Sequence, residues 1–265
     1  MGAPFDLSFI FRFFPKLLDT LGLTLLIVAG SLAAGIFAGF LVALPRMYNV
    51  PVLKRFSQVY VSFFRGTPIL IQLFLFYYGL PEILKLAGID ISKAPVLFFV
   101  IITYGLNTGA FLSETIRASV TAVNRGQIEA AYAVGMTGYQ AFSRIVWPQA
   151  LAVAVPVFSN VVLALLKDTS LAFTLGVMEL TGKAQTLGAL TQHFVEAYIS
   201  LALIYLVISL VLERLLKLAE RRLLRHEQPV STGGGRFRLW FRLPRARSYR
   251  QLIADANAGK GGAEL

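Results

Sequence analysis

Five apolar runs, each near the length of a bilayer crossing, constrain this chain more than any other feature. They read as spans at 17–44, 59–79, 94–117, 150–166 and 197–212, the last continuing toward residue 218. A membrane helix needs ~20 apolar residues. The first run is longer, so part of it is expected to tilt or lie in the interface. Lipid offers the backbone no hydrogen-bond partner, so the expected fold is all-α. The chain is 56% hydrophobic and 15% charged, where a soluble domain has about 25%. Its mean hydropathy is +0.67. Cysteine is absent, which excludes disulfides, thiol nucleophiles and Cys metal sites. His193 and His226 stand too far apart in sequence to suggest a metal site.

The stretch Glu129 to Pro148 is the most informative polar segment. Gln127 to Val134 is Ala-rich and free of Gly and Pro, as a helix requires. Gly135 permits a sharp turn through positive φ. A second helical run from Tyr139 is expected to stop near Trp147-Pro148, because proline disfavours helical geometry in the residue before it. The pattern predicts two short helices at an elbow just outside the bilayer.

Other polar groups interrupt the spans. Gly66-Thr67-Pro68 should distort the second span and free backbone carbonyls that neighbours must satisfy. In the third span, helical steps place Tyr104, Asn107, Thr108 and Phe111 on one face. Such a stripe suits a water-filled cavity or interhelical hydrogen bonding equally well. Glu114 needs a cation, and Arg117 lies three residues on. At the end of the fourth span, Asp168, Thr169 and Ser170 suit either a helix cap or the binding of an ammonium group. Pro45 is expected to end the first span and Pro156 to kink the fourth. Gly30, Ala33, Ala34, Gly35, Ala38 and Gly39 give the first span a face for close packing. Residues 46–57 and 81–93 read as loops. Residues 172–196 read as a re-entrant region with a short buried helix.

Three of these patches carry a family resemblance. Glu129-Ala130-Ala131, Gly135, Ile145 and Pro148 have the spacing of the EAA loop of ABC-importer permeases, with Trp147 where Leu is usual. Arg65-Gly66-Thr67-Pro68 with Gln72 resembles the R-G-T-P-x-x-x-Q signature of the polar amino-acid permeases in that family. Lys167-Asp168-Thr169-Ser170-Leu171 is similar to their K-D-T-S-L segment. The resemblance covers about residues 17–218 and implies a five-helix type I importer permease with a cytoplasmic coupling elbow. The substrate would be a polar amino acid of the histidine, glutamine, arginine or cystine kind. Glu129, Ala130, Ala131, Gly135, Ile145 and Pro148 would couple to cytoplasmic ATPase subunits. Asp168, Thr169, Ser170, Asn107, Thr108, Tyr104, Glu114, Gln72, Thr67 and Pro68 would line the substrate pathway. A second permease chain and an extracellular or periplasmic solute-binding protein would complete the assembly, in a bacterial inner membrane. ATP and its magnesium would sit on the partner ATPase, since this chain has no Gly-Lys-Ser/Thr phosphate loop and binds no cofactor of its own.

Charge fixes an expected orientation. Five spans put the termini on opposite sides. Nineteen of the 25 Lys and Arg fall on the side of loop 45–59, loop 127–148 and the C-terminus. By the positive-inside rule that side is cytoplasmic and the N-terminus is outside. The expected organisation is an interfacial, aromatic-rich helix at 1–16 rather than a cleaved leader, a transmembrane domain at 17–218 and a basic tail at 219–265. The tail's arginines beside Trp240 and Phe241 suit anionic lipid. Its net positive charge is no argument for nucleic acid, because no supporting fold accompanies it. The chief alternative is a transporter or channel driven by an ion gradient, for which Glu114 and Asp168 would be the carboxylates. A membrane enzyme would need a catalytic set that is not in the sequence.

Overall fold

The centre of the molecule is a pair of helices that approach more closely than ordinary side chains allow. The structure, a computed structural model, describes residues 4–224. Its helices are α1 (Leu7–Leu18), α2 (Leu21–Met47), α3 (Pro51–Gly66), α4 (Ile69–Phe74), α5 (Leu80–Leu86) and α6 (Val96–Thr121). They continue as α7 (Arg125–Ala133), α8 (Gly138–Ala141), α9 (Trp147–Asp168), α10 (Leu180–Thr191) and α11 (Phe194–Leu223). The described residues contain no strand. A methyl group added to Gly35 would fall 2.8 Å from Thr108 Cγ2 on α6, and one added to Gly105 would fall 2.7 Å from Ala34 Cβ on α2. The small residues of α2 and α6 therefore face each other, as the sequence of the first span suggests.

Among the described residues, five helical stretches are long and apolar enough to cross a membrane: Leu21–Met47, Ile69–Leu86, Val96–Thr121, Gly138–Leu175 and Phe194–Leu223. The third is the hub, since 56% of its apolar window is buried against 28% for the first. Around it, Ile27, Leu73, Val100, Tyr104, Leu165, Leu166 and Ala172 form one core. A second core joins α1, α10 and α11 through Phe13, Leu17, Leu180, Ala184, Leu187, Ala197 and Ile204. The start of α1 is held there by polar bonds. Glu196 Oε1 accepts the Asp6 amide at 2.8 Å and lies 2.9 Å from His193 Nδ1. The Phe9 ring stacks on His193 at 3.8 Å. Large apolar side chains such as Phe37, Phe40, Val207 and Leu210 face outward, as lipid permits.

Several boundaries differ from the sequence-based expectation. Helix α2 runs two residues past Pro45, because a proline in the last turn removes only one backbone bond. Residues 51–57, expected within a loop, belong to helix α3. The second span starts at Ile69, because Thr67 is extended (φ −114°, ψ 145°) before Pro68. It reaches Leu86, into the expected loop. The buried helix expected within 172–196 is α10. Helix α11 passes residue 218 to Leu223 through Glu, Lys and Arg, which are good helix formers. The rest of the basic tail, with Trp240 and Phe241, lies outside the described residues.

Pro148 does not end a helix. It sits in the first turn of α9, where a missing N–H is least costly. The residues before it, Phe142–Val146, form a π-turn in which the Trp147 amide donates to Phe142 O, five residues back. The same device recurs at Leu75–Gly79 before Pro81, where the Leu80 amide donates to Leu75 O. A proline cannot donate to the carbonyl four residues back and its ring crowds it, so the helix widens instead of breaking. Helix α9 also continues unbroken through Pro156.

Candidate functional site

The elbow between α6 and α9 is built from three local signals. Asn124 caps α7 by accepting the Gly126 amide at 2.8 Å. Helix α7 closes through two bonds at 3.0 Å, from the Gly135 amide to Tyr132 O and from the Met136 amide to Ala131 O. This pair of bonds, with Gly135 at φ +79°, is the Schellman arrangement. Thr137 and Gln140 then form a capping box that starts α8, with bonds of 2.8 and 3.3 Å. The Thr-x-x-Gln spacing was available in the sequence and went unused there.

The elbow presents a sticky outer face. Tyr132, Val134 and Tyr139 are 54%, 74% and 81% exposed. Glu129 and Ala130 are exposed beside them, and Glu129 has no hydrogen-bond or ion-pair partner among the described residues. Ala131 is buried as the seat of α7, and Ile145 and Pro148 are half-buried. Beneath the elbow, Val123, Val146 and Ala150 form a small core with Val120 and Ile128. From α8 a helical rod of 38 residues runs from Gly138 to Leu175, through the π-turn and α9.

That rod leads into the Asp168, Thr169 and Ser170 cluster. The Asp168 carbonyl accepts the buried Tyr104 hydroxyl at 2.6 Å. Thr169 is buried and donates to Leu166 O at 2.7 Å. The Asp168 carboxylate is half-buried, with no partner among the described residues. Ser170 lines an open cleft of about 410 Å³ with Lys167, Thr181, Tyr198 and Tyr205. Below it Glu179 is fully buried, accepting the Thr181 and Gly182 amides at 2.8 and 3.0 Å and the Tyr205 hydroxyl at 3.2 Å. Burial pushes the Glu179 carboxyl above its usual range, against these hydrogen bonds. Sequence reading gave Glu179 no role.

The remaining polar groups do not share one cavity. Gln72 is fully buried, and its amide donates to Phe64 O at 2.9 Å, Thr67 O at 3.0 Å and Thr67 Oγ1 at 2.8 Å. Asn107 donates to Phe64 O at 3.1 Å and to Gln72 Oε1 at 3.0 Å. Phe64 O is the carbonyl that Pro68 leaves without a donor. Two amides from elsewhere thus satisfy the break at Thr67-Pro68. Thr108 turns toward Gly35 on α2, and Phe111 lies under the Arg65 guanidinium at 5.4 Å. Glu114 pairs with Arg46 at 2.7 Å and with Arg117. Arg46, from the end of α2, is the partner that sequence spacing did not reveal.

A helical rod that joins a capped, exposed elbow to a polar cluster within the membrane suggests a part of a transport machine. The family model described as "binding-protein-dependent transport system inner membrane component" matches residues 35–225. The chain belongs to that family. This permease is 44% identical over 232 residues to the L-cystine transport system permease protein TcyL of Bacillus subtilis (strain 168), covering 88% of this chain and 97% of that one. It is 41% identical over 220 residues to the probable amino-acid ABC transporter permease protein PatM of Vibrio harveyi, covering 83% and 96%. Among solved structures, an amino acid ABC transporter with histidines matches it at a TM-score of 0.74 and 31% identity, over 83% of this chain and 100% of that one. The permease is therefore a membrane-spanning importer subunit and not an enzyme, with ATP hydrolysis on a separate subunit. The gradient-driven alternative falls away.

Proposed function

We propose that this permease carries a polar amino acid and takes its driving force through the elbow. The observation that carries this reading is the unpaired, exposed Glu129 among exposed apolar side chains, joined by one helical rod to the Asp168 cluster. An exposed apolar patch beside a free carboxylate suits docking against a protein with a basic rim. Glu129, Ala130, Ala131, Gly135, Ile145 and Pro148 form the ATPase-coupling surface. Closure of the ATPase dimer displaces the elbow, and the rod carries that displacement to the pathway. At its far end Asp168 offers the only unpaired carboxylate of the cluster, suited to the substrate ammonium, with Ser170 beside it. Thr169 and Tyr104 hold the cluster in shape. Thr67, Pro68, Gln72, Asn107 and Thr108 shape the pathway wall. Glu114 spends its charge on two arginines.

The arginine-rich sides of the short loops put the elbow and C-terminus in the cytoplasm and the N-terminus outside, with α1 lying in the interface. Five spans are few for a whole pathway, so a second permease chain, copy or paralogue, completes it. A solute-binding protein delivers substrate from outside.

The test is co-purification with the neighbouring ATPase, together with uptake of labelled amino acids. Glu129→Lys should abolish association by reversing the docking charge. Gly135→Pro should do the same, because proline holds φ near −65° where +79° is needed. Normal association and uptake in both variants, at normal levels in the membrane, would sink the docking assignment.

A further inference from the structure

Gln149 lies one residue past Pro148, in the first turn of α9. Its Nε2 donates to Gln127 Oε1 at 2.5 Å and to Ile145 O at 2.9 Å. Gln127 belongs to the first turn of α7, and Ile145 lies within the π-turn. One amide group thus bridges the helix before the Gly135 turn, the π-turn and the rod. No other side-chain hydrogen bond among the described residues joins α7 to α9. The alternative link along the chain is poor. It passes through the Gly135 turn, through α8, which is a single turn long, and through a π-turn whose bonds reach five residues back. π-Turns are rare departures from the α-helix that occur often at functional sites. The apolar seat of Val123, Val146 and Ala150 holds the elbow against the rod without direction. The Gln149 amide adds a directional link to that seat.

We propose that Gln149 is a positioning residue that locks α7 to the π-turn, so that a displacement of the elbow moves α9 as one body. The proposal rests on the reading that an ATPase pushes the elbow. A free α7 would take up the push by bending at the π-turn, and hydrolysis would continue with less transport for each ATP.

The experiment uses the complete importer in liposomes: this permease, its permease partner, its ATPase and its solute-binding protein. Radiolabelled protein amino acids, L-cystine included, serve as the probe. Uptake and ATP hydrolysis are read on the same vesicles. Gln149→Leu keeps the side-chain volume and removes the donor. The amino acid carried per ATP should fall about fivefold, the low end for a coupling contact. Gln127→Glu combined with Gln149→Lys restores a bond across the same gap and should bring the ratio back to within about twofold of wild type. A purely structural role would lower the amount of inserted protein and leave this ratio alone. If Gln149→Leu does not insert, Gln127→Leu takes its place with the same expected ratio, since it leaves the bond to Ile145 intact. An unmoved ratio, or a double variant no better than Gln149→Lys alone, overturns the bridge while ATP-driven uptake stands. Wild-type uptake that ignores ATP overturns the functional reading, and the bridge with it.

Discussion

Pro68 and Pro148 interrupt two membrane helices in opposite ways. At Pro68 the helix opens: Thr67 is extended, and the orphaned Phe64 carbonyl receives the side-chain amides of Gln72 and Asn107. At Pro148 the helix stays closed and widens, with Trp147 still helical at φ −58°. The residues before each proline explain the choice. Gly66 is a poor helix former, and Thr67 can turn its hydroxyl onto Phe63 O at 2.8 Å. Val146 and Trp147 have no such local alternative, so the backbone keeps its own bonds by reaching one residue further. At these two prolines the outcome follows whether a side-chain donor meets the freed carbonyl, while Pro156 passes through α9 with neither device.

The sharpest way to break that contrast is Gln72→Leu. It removes the donor to Thr67 O and the acceptor for Asn107, and it leaves both half-buried without that partner. Unsatisfied buried groups cost ~1–3 kcal/mol each. The expected loss is about 3 kcal/mol of stability, read by denaturation in bicelles, with uptake abolished. Wild-type stability would show that Asn107 alone suffices as donor at the open break.

Pro148→Ala attacks the other outcome. Alanine supplies the missing N–H, and the π-turn should relax to ordinary α-helix. Removing one residue of bulge rotates the elbow about 100° against α9. Insertion should persist, while uptake per inserted molecule falls about tenfold, in line with ~1.4 kcal/mol of lost coupling. Pro68→Ala should do far less, because Gln72 and Asn107 still hold the open conformation. Equal effects at the two prolines would erase the distinction.

How far these features were legible depended on whether the cause was local. The spans followed from apolar length, and the Gly135 turn followed from a glycine in a helical run. The capping box was equally local, as Thr137 and Gln140 at the standard spacing. The π-turns were half legible: Pro81 and Pro148 mark them, but the sequence does not say whether a helix breaks or widens. The partners of the freed carbonyl were not legible at all, since Asn107 reaches Phe64 across 43 positions. A still longer separation in sequence hid the Arg46–Glu114 pair. Helical steps put Tyr104, Asn107 and Thr108 on one face, but α2, α3, α4 and α9 all pack on α6: Thr108 meets α2, Asn107 meets α3 and α4, and Tyr104 meets the end of α9.

The smallest expected effect separates the two roles open to Asn107. Its amide shares Phe64 O with Gln72, so Asn107→Ala leaves that carbonyl with a donor and takes the partner only from Gln72 Oε1. The loss should be about 0.6 kcal/mol, the average for a side-chain hydrogen bond between membrane helices. As a brace, Asn107 would change the amount of folded protein slightly and leave the substrate KM alone. As a substrate ligand, it would raise KM while stability held. The bonds already made by its amide hydrogens favour the brace: both point at the break, which leaves only Oδ1 to meet a ligand. A KM raised more than about fivefold, beyond what ~0.6 kcal/mol can produce, would return Asn107 to the pathway surface and leave Gln72 as the sole guard of the open proline.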